Sequence, residues 1–387
     1  MSPERTLPGD APPCGPKPTG GGPSGEDEPP PPRENPDLLG HAAAESVLLE
    51  AFNAGRLAHA WLISGPRGIG KATLAFRFAR FLLARGGGDA GTLFAEPPPD
   101  SLYVAPDLPV FRRAAAGGHA DLKTVERGWD DKKGRLRTEI VVDDVRAVGA
   151  FLGLTAAEGG WRVVVIDSAD EMNRNAANAV LKVLEEPPRR AVLLLVSHGP
   201  GRLLPTIRSR CRRLVLKPLA DDVVASLACK YRPGLGAEDA AELARLAEGS
   251  VGRALALAAD GGLDLYRDLV DLLETLPGLD VPGAHAFGDR VARPGADDAF
   301  RVVGDLLRWW LGRLILFGAR GGKGAGEGMP GRERALIERL FRAGGLDRWL
   351  EVWEKTNRLL AQADESGLER KQVVLNVFLA LDSAVRP

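Results

Sequence analysis

The sequence predicts an α/β domain with a parallel sheet and a phosphate-binding loop, followed by two helical domains. The loop has the pattern G-x-x-x-x-G-K at residues 65–71, between an apolar run and a helical pattern. Further apolar runs are continuous, which is typical of strands buried on both faces of a parallel sheet. After Pro218 these runs disappear, and the rest of the chain has helical spacing.

Composition divides the chain into segments. Residues 1–33 are rich in proline, glycine and acidic side chains, so we predict a disordered tail. We expect the α/β domain at residues 34–217, a small helical domain at 218–275 and a second helical domain at 276–387. A break rich in glycine and proline, from Pro277 to Gly283, marks the last boundary.

Charge and cysteine content limit the classes of function. The 51 basic and 52 acidic side chains nearly cancel, so any contact with DNA must be local. The three cysteines, Cys14, Cys211 and Cys229, are too scattered for a disulfide framework or a structural metal site. No apolar stretch reaches the roughly 18 residues that a membrane span needs. The sequence therefore predicts a cytoplasmic protein without a membrane segment.

Predicted strands and helices alternate through the α/β domain. Strands are expected at residues 60–63, 140–142, 163–166, 192–196 and 214–216. Helices are expected at residues 72–82, 144–152 and 174–186, the last one ended by two prolines.

The residues of the loop indicate binding of a nucleotide phosphate. Glycines let backbone N–H groups turn toward phosphate oxygens, the helix N-terminus adds positive potential, and Lys71 can reach the β- and γ-phosphates. Asp167 follows a strand, as does the aspartate that holds Mg²⁺ in P-loop NTPases, although a carboxylate that only caps the chain is the alternative. The candidate nucleotide-binding residues are Gly65, Arg67, Gly68, Ile69, Gly70, Lys71, Thr73 and Asp167.

Two positions depart from the pattern of an active ATPase. Ala72 stands where a serine or threonine hydroxyl would ligate Mg²⁺, and Thr73 comes one residue late, rotated by about 100° around the helix. Ser168 stands where many ATPases have the glutamate that activates water, and a serine hydroxyl is a poor base near neutral pH. We therefore predict no bound metal and little hydrolysis, with ATP or ADP as the candidate ligand.

Two further segments identify a family. LKVLEEPP at residues 181–188, followed by TIRSRC at residues 206–211, resembles the AAA+ subunits of DNA polymerase clamp loaders. The resemblance begins at Gly40-His41, includes the phosphate loop and the strand ending at Asp167, and covers the first two folded domains. The altered nucleotide motifs and GSVGRAL at residues 249–255 are most similar to the delta-prime type of bacterial DNA polymerase III.

The resemblance assigns roles to particular residues. In the family the arginine of the Ser-Arg-Cys triplet projects into the ATP site of a neighbouring subunit, so Arg210 is the candidate for this role. The alternative for the basic run at residues 208–213 is contact with DNA phosphates. Gly252 stands where ATP-using relatives carry a sensing arginine, and Arg253 follows it. Ser197, at the end of a strand, is a candidate hydrogen-bond donor to phosphate.

The resemblance also implies partners. The two helical domains correspond to a lid and to a collar that joins the ATPase and delta subunits in a hetero-pentamer, which loads a sliding clamp onto primed DNA. The chain would be part of a DNA polymerase holoenzyme and hydrolyse little or no ATP itself. The alternatives are an active ATPase subunit of the tau/gamma type and a DNA-binding adaptor. Because residues 84–126 lack the four cysteines of the family's zinc module, we predict no zinc.

Tryptophans in the last domain favour a packed core. Trp309 and Trp310 lie among leucines at helical spacing, and Trp349 and Trp353 share one helical face. The alternative is an interface in the collar.

Overall fold

The computed structural model describes residues 29–85, 97–130, 134–158, 160–259, 261–293, 297–322, 330–366 and 368–386. The predicted tail therefore lies, up to residue 28, outside the described residues. The chain forms two compact units, Met1–Arg253 and Ala254–Pro387. The finer division of the helical part into a lid and a collar stays a prediction.

The first unit is built around a parallel five-stranded sheet, as predicted. Its strands are β1 (Ala60–Ser64), β2 (Leu122–Val125), β5 (Arg162–Ile166), β6 (Ala191–Ser197) and β7 (Arg212–Val215), in the order β2-β5-β6-β1-β7; β3 (Trp129–Asp130) and β4 (Arg135–Leu136) form a separate antiparallel pair. At the end of β1, Ser64 lies between Ser197 and Val215. The loop after β1 therefore starts between two neighbouring strands at the carboxyl edge of the sheet, where α/β proteins bind ligands.

One predicted strand is wrong. Ile140 forms only an isolated bridge with Met172, and a helix begins at Val142. The strand at this edge of the sheet is β2, which pairs with β5 through Leu122 and Val163. It was not predicted because an edge strand is buried less completely, and its sequence Leu-Lys-Thr-Val has no continuous apolar run.

Helices cover both faces of the sheet. In chain order they are α1 (Ala42–Asn53), α2 (Lys71–Ala84), α3 (Pro109–Ala115), α4 (Val142–Gly153), α5 (Arg174–Glu185) and α6 (Pro205–Arg210). Because side chains alternate along a strand, Trp61 and Ile63 of β1 enter the core under α1 to α3, and Ala60 and Leu62 enter the core under α4 to α6. This two-sided burial explains the continuous apolar runs.

After β7, the regular secondary structure in the described part of the chain is helical, as predicted. The helices are α7 (Asp221–Tyr231), α8 (Ala237–Ala247), α9 (Val251–Ala259), α10 (Gly262–Glu274), α11 (Val281–Val291), α12 (Asp297–Ala319), α13 (Gly331–Ser366) and α14 (Arg370–Val385). Helix α13 is interrupted at Gly345, where φ is +73°. No helix in the described part of the chain is long and apolar enough to cross a bilayer.

The second unit contains three of the tryptophans in its core. Trp309, Trp310 and Trp349 are buried, which confirms the predicted core packing for these residues. Trp353 is 39% exposed and departs from that prediction.

Candidate functional site

The phosphate loop lies between β1 and α2, in the predicted order of strand, loop and helix. Gly68 has φ of +75°, and a Cβ atom at this position would lie 2.4 Å from the Ser250 hydroxyl oxygen. Both the backbone conformation and the close approach of Ser250 therefore require glycine here. Ile69 is buried in the core and holds the loop against it.

Lys71 is buried at the first position of α2, with 2% of its surface exposed. Its ammonium group donates a hydrogen bond to the carbonyl oxygen of Pro66 in the same loop. Burial lowers the pKa of Lys71 to about 8, although Asp167 and Asp170 oppose this shift. The lysine is therefore held inside the loop, within electrostatic reach of two carboxylates.

The residues that would coordinate Mg²⁺ are incomplete. Burial raises the pKa of Asp167 above its usual value, and repulsion by Glu126 adds to this shift. Ala72 has no oxygen to offer, and Thr73 is buried in α2 with 8% of its surface exposed. The glycine loop and Lys71 fit a phosphate, whereas these side chains do not fit a magnesium ion coordinated in the P-loop manner.

Ser168, in place of the catalytic glutamate, pairs with a histidine. Its hydroxyl lies 3.1 Å from Nε2 of His198, and its backbone has a left-handed φ of +63°. Asp170 accepts hydrogen bonds from the backbone N–H groups of His198 and Gly199 at 2.9 and 3.0 Å. Burial, followed by the charge of Lys71, lowers the pKa of His198 to about 4, so this ring is neutral near pH 7.

A second histidine supports the loop from the N-terminal segment. Nε2 of His41 lies 2.6 Å from the carbonyl oxygen of Ile69. Because a carbonyl oxygen only accepts, Nε2 carries the proton and donates it. Burial lowers the pKa of His41, which favours this neutral form.

The start of α9 packs directly on the phosphate loop. The Ser250 hydroxyl donates a hydrogen bond to the carbonyl oxygen of Arg67 at 2.8 Å. The N–H group of Gly252 donates one to the carbonyl oxygen of Gly68 at 3.0 Å. A Cβ atom at position 252 would lie 3.1 Å from Cα of Gly68. Gly252 thus packs against the phosphate loop, at the position where the family resemblance predicts a sensing arginine in ATP-using subunits.

Arg210 ends α6, away from the loop in sequence and on a different helix. Nη1 donates to the carbonyl oxygen of Thr206 at 3.1 Å, and Nη2 forms an ion pair with Glu185 at 2.9 Å. The Arg210 side chain is 37% exposed. A guanidinium whose two terminal nitrogens contact neighbouring oxygens, on a side chain that stays partly exposed, still has N–H groups with which to contact a phosphate on another molecule.

The structure therefore brings Asp167 within electrostatic reach of Lys71 in the phosphate loop, whereas Arg210 contacts Thr206 and Glu185. Sequence reasoning missed His198, and it named His41 and Ser250 only as part of the family resemblance, without a role for either. The predicted donor Ser197 is fully buried. In the described part of the chain, no three His, Cys, Asp or Glu side chains are placed to hold a metal ion, and the predicted absence of zinc stays a prediction.

The parallel sheet and the glycine loop between β1 and α2 define a P-loop domain. Residues 40–220 match the family model described as "DNA polymerase III, delta subunit". The chain is 43% identical over 154 residues to DNA polymerase III subunit delta-prime of Pseudomonas aeruginosa, covering 40% of this chain and 42% of the relative. It is 32% identical over 174 residues to the same subunit of Bacillus subtilis, covering 45% and 46%.

A tau subunit is also similar. DNA polymerase III subunit tau of Bacillus subtilis is 25% identical over 288 residues, covering 73% of this chain and 43% of the relative. In each of these three comparisons the chain spans less than half of the relative's length. The predicted resemblance to clamp-loader AAA+ subunits is confirmed, and over residues 40–220 the chain is delta-prime-like.

Proposed function

We propose that this chain is a delta-prime-like subunit of a DNA polymerase III clamp loader, which helps load the sliding clamp on primed DNA. In this proposal it hydrolyses little or no ATP and supplies Arg210 to the ATP site of a neighbouring subunit. The supporting observation is the contrast between an exposed, braced Arg210 and an altered nucleotide site in the same unit.

The altered site supports the absence of hydrolysis in three ways. Ala72 and the buried Thr73 leave Mg²⁺ without its hydroxyl ligand. Ser168 bonds to His198 and has no carboxylate with which to activate water. Gly252 packs on Gly68, so no arginine reaches a γ-phosphate from this position. The loop and Lys71 could still hold the phosphates of ATP or ADP as a structural ligand.

The proposed chemistry takes place in another subunit. As a phosphoryl group is transferred, negative charge on its oxygens and on the leaving group must be stabilised. A guanidinium supplied across the interface donates charge-assisted hydrogen bonds to those oxygens. The proposed partners are the ATPase and delta subunits of a hetero-pentamer in the cytoplasm, with the clamp and primed DNA bound through the complex.

ATP turnover by the isolated chain tests whether its own nucleotide site hydrolyses ATP. We expect no turnover above that of the Lys71→Ala variant when Mg²⁺ and ATP are both in excess. Magnesium-dependent turnover that Lys71→Ala abolishes would instead establish an active ATPase.

An active ATPase of the tau/gamma type is the second candidate. It is favoured by the retained Lys71 and Asp167 and by the similarity to tau, which extends over 73% of this chain. Ala72, Ser168 and Gly252 oppose it. The same turnover measurement separates the two candidates.

A further inference from the structure

Glu185 and Arg210 come together at the ends of two helices. Glu185 is the last residue of α5, and Arg210 is the last residue of α6. Oε1 of Glu185 lies 2.9 Å from Nη2 of Arg210. The pair joins the LKVLEEPP segment at residues 181–188 to the Ser-Arg-Cys triplet at residues 209–211.

 The pair therefore links two segments that the sequence resemblance had identified separately. The sequence analysis had assigned no role to Glu185.

The positions of both residues are fixed by the core beneath them. Leu184 precedes Glu185 and is 2% exposed, and Ile207 of α6 is fully buried. Both belong to the apolar cluster on one face of the sheet, together with Cys211, which follows Arg210. Because close-packed cores allow little movement, the ends of α5 and α6 keep a constant separation.

The guanidinium of Arg210 is held at two of its nitrogens. Nη1 bonds to the carbonyl oxygen of Thr206 at 3.1 Å, and Nη2 contacts Glu185. A free arginine side chain samples many rotamers, so two fixed acceptors restrict it before any partner arrives. A guanidinium carries five N–H groups, so donors remain for a phosphate.

We infer that Glu185 is a positioning residue for Arg210, one that directs the guanidinium toward the ATP of the neighbouring subunit. The inference rests on the proposed trans role of Arg210. A role in stability is not sufficient to explain the pair, because Glu185 is 52% exposed and exposed ion pairs contribute little to folding. Pre-orientation instead acts on the rate, because a reacting group that is already placed needs less ordering in the transition state.

The test uses the complex reconstituted with the chain's clamp-loader partner subunits. Glu185→Ala should lower kcat for ATP turnover by about 3–10-fold and change KM for ATP by less than about twofold, because positioning acts in the transition state. Glu185→Gln keeps an oxygen acceptor and should recover part of kcat. Glu186→Ala is the matched control, because the neighbouring Glu186 is also exposed and makes no ion pair in the described part of the chain.

Arg210→Ala in the same assay separates the inference from the proposed function. If Arg210→Ala lowers turnover but Glu185→Ala does not, or if Glu185→Ala raises it, the positioning role is wrong and the trans role stands. Unchanged turnover in Arg210→Ala would overturn both. The double variant should be no slower than Arg210→Ala alone, because Glu185 acts only through Arg210. Unchanged melting temperatures will show that each variant folds.

Discussion

The N–H group of Gly252 donates a hydrogen bond to the carbonyl oxygen of Gly68 at 3.0 Å. This contact brings the first turn of α9 so close to the phosphate loop that a Cβ atom at Gly252 would lie 3.1 Å from Cα of Gly68. The chain therefore has a packing contact at the position where the family resemblance predicts a residue that senses the γ-phosphate.

Gly252→Ala should therefore destabilise the protein. The added Cβ atom would lie 3.1 Å from Cα of Gly68, and we expect overpacking of this kind to cost about 1–3 kcal/mol. Gly149→Ala is the matched control, because Gly149 lies in α4 with open space around its Cβ position, and alanine favours a helix by up to about 1 kcal/mol. Urea unfolding measures both variants. Equal stability of the two would show that the loop and α9 are not tightly packed.

His198 should make the protein less stable in acid. Its pKa is about 4 in the folded protein, whereas an unfolded histidine has a pKa of about 6.5. As the pH falls from about 6.5 to about 4, the unfolded chain takes up a proton that the folded site does not, so the free energy of unfolding decreases.

The His198→Gln variant tests this linkage. Urea unfolding at each pH measures the free energy of unfolding. Between pH 6.5 and pH 4, this free energy should fall less for His198→Gln than for the wild type. His285→Gln, at an exposed position of α11, is the matched histidine control. A pH dependence of His198→Gln equal to that of the wild type would contradict the assignment.

Arg80 should be essential for the order of the segment before α1. It is 2% exposed, stacks 4.3 Å from the ring centroid of Phe111, and donates to the carbonyl oxygens of Arg33 and Asn35 at 2.7 and 2.8 Å. Arg80→Ala removes both donors, and we expect a loss of about 2–3 kcal/mol.

Hydrogen exchange and limited proteolysis measure the local effect of this change. Residues 33–37 should exchange faster and be cleaved sooner in Arg80→Ala. Arg112→Ala, at an exposed position of α3, should change stability by less than about 0.5 kcal/mol. Unaltered protection of residues 33–37 would show that Arg80 does not hold the segment.

Much of the fold could be predicted from local patterns. The central strands are buried on both faces, so their continuous apolar runs are visible in the sequence. The edge strand β2 was missed because its partly exposed residues carry no such signal, and Ile140 was misread because a buried residue before a helix resembles the start of a strand.

The candidate site was predictable only where its residues are close in sequence. The phosphate loop is one continuous segment, and its strand and helix follow from spacing alone. The contacts from Ser250 to Arg67 and from Glu185 to Arg210 join distant segments, so they depend on how helices pack and leave no periodic signal. Nucleotide binding and the role of Arg210 stay predictions.

ATP turnover in the reconstituted complex tests the central claim most directly. Arg210→Ala should lower turnover at the adjoining site by at least about tenfold, because a trans arginine stabilises the transferring phosphoryl group. Arg213→Ala, two residues into β7 and also exposed, is the matched control and should retain wild-type turnover. Wild-type turnover in Arg210→Ala, or an equal loss in both variants, would contradict the account, the second result favouring a basic surface that contacts DNA.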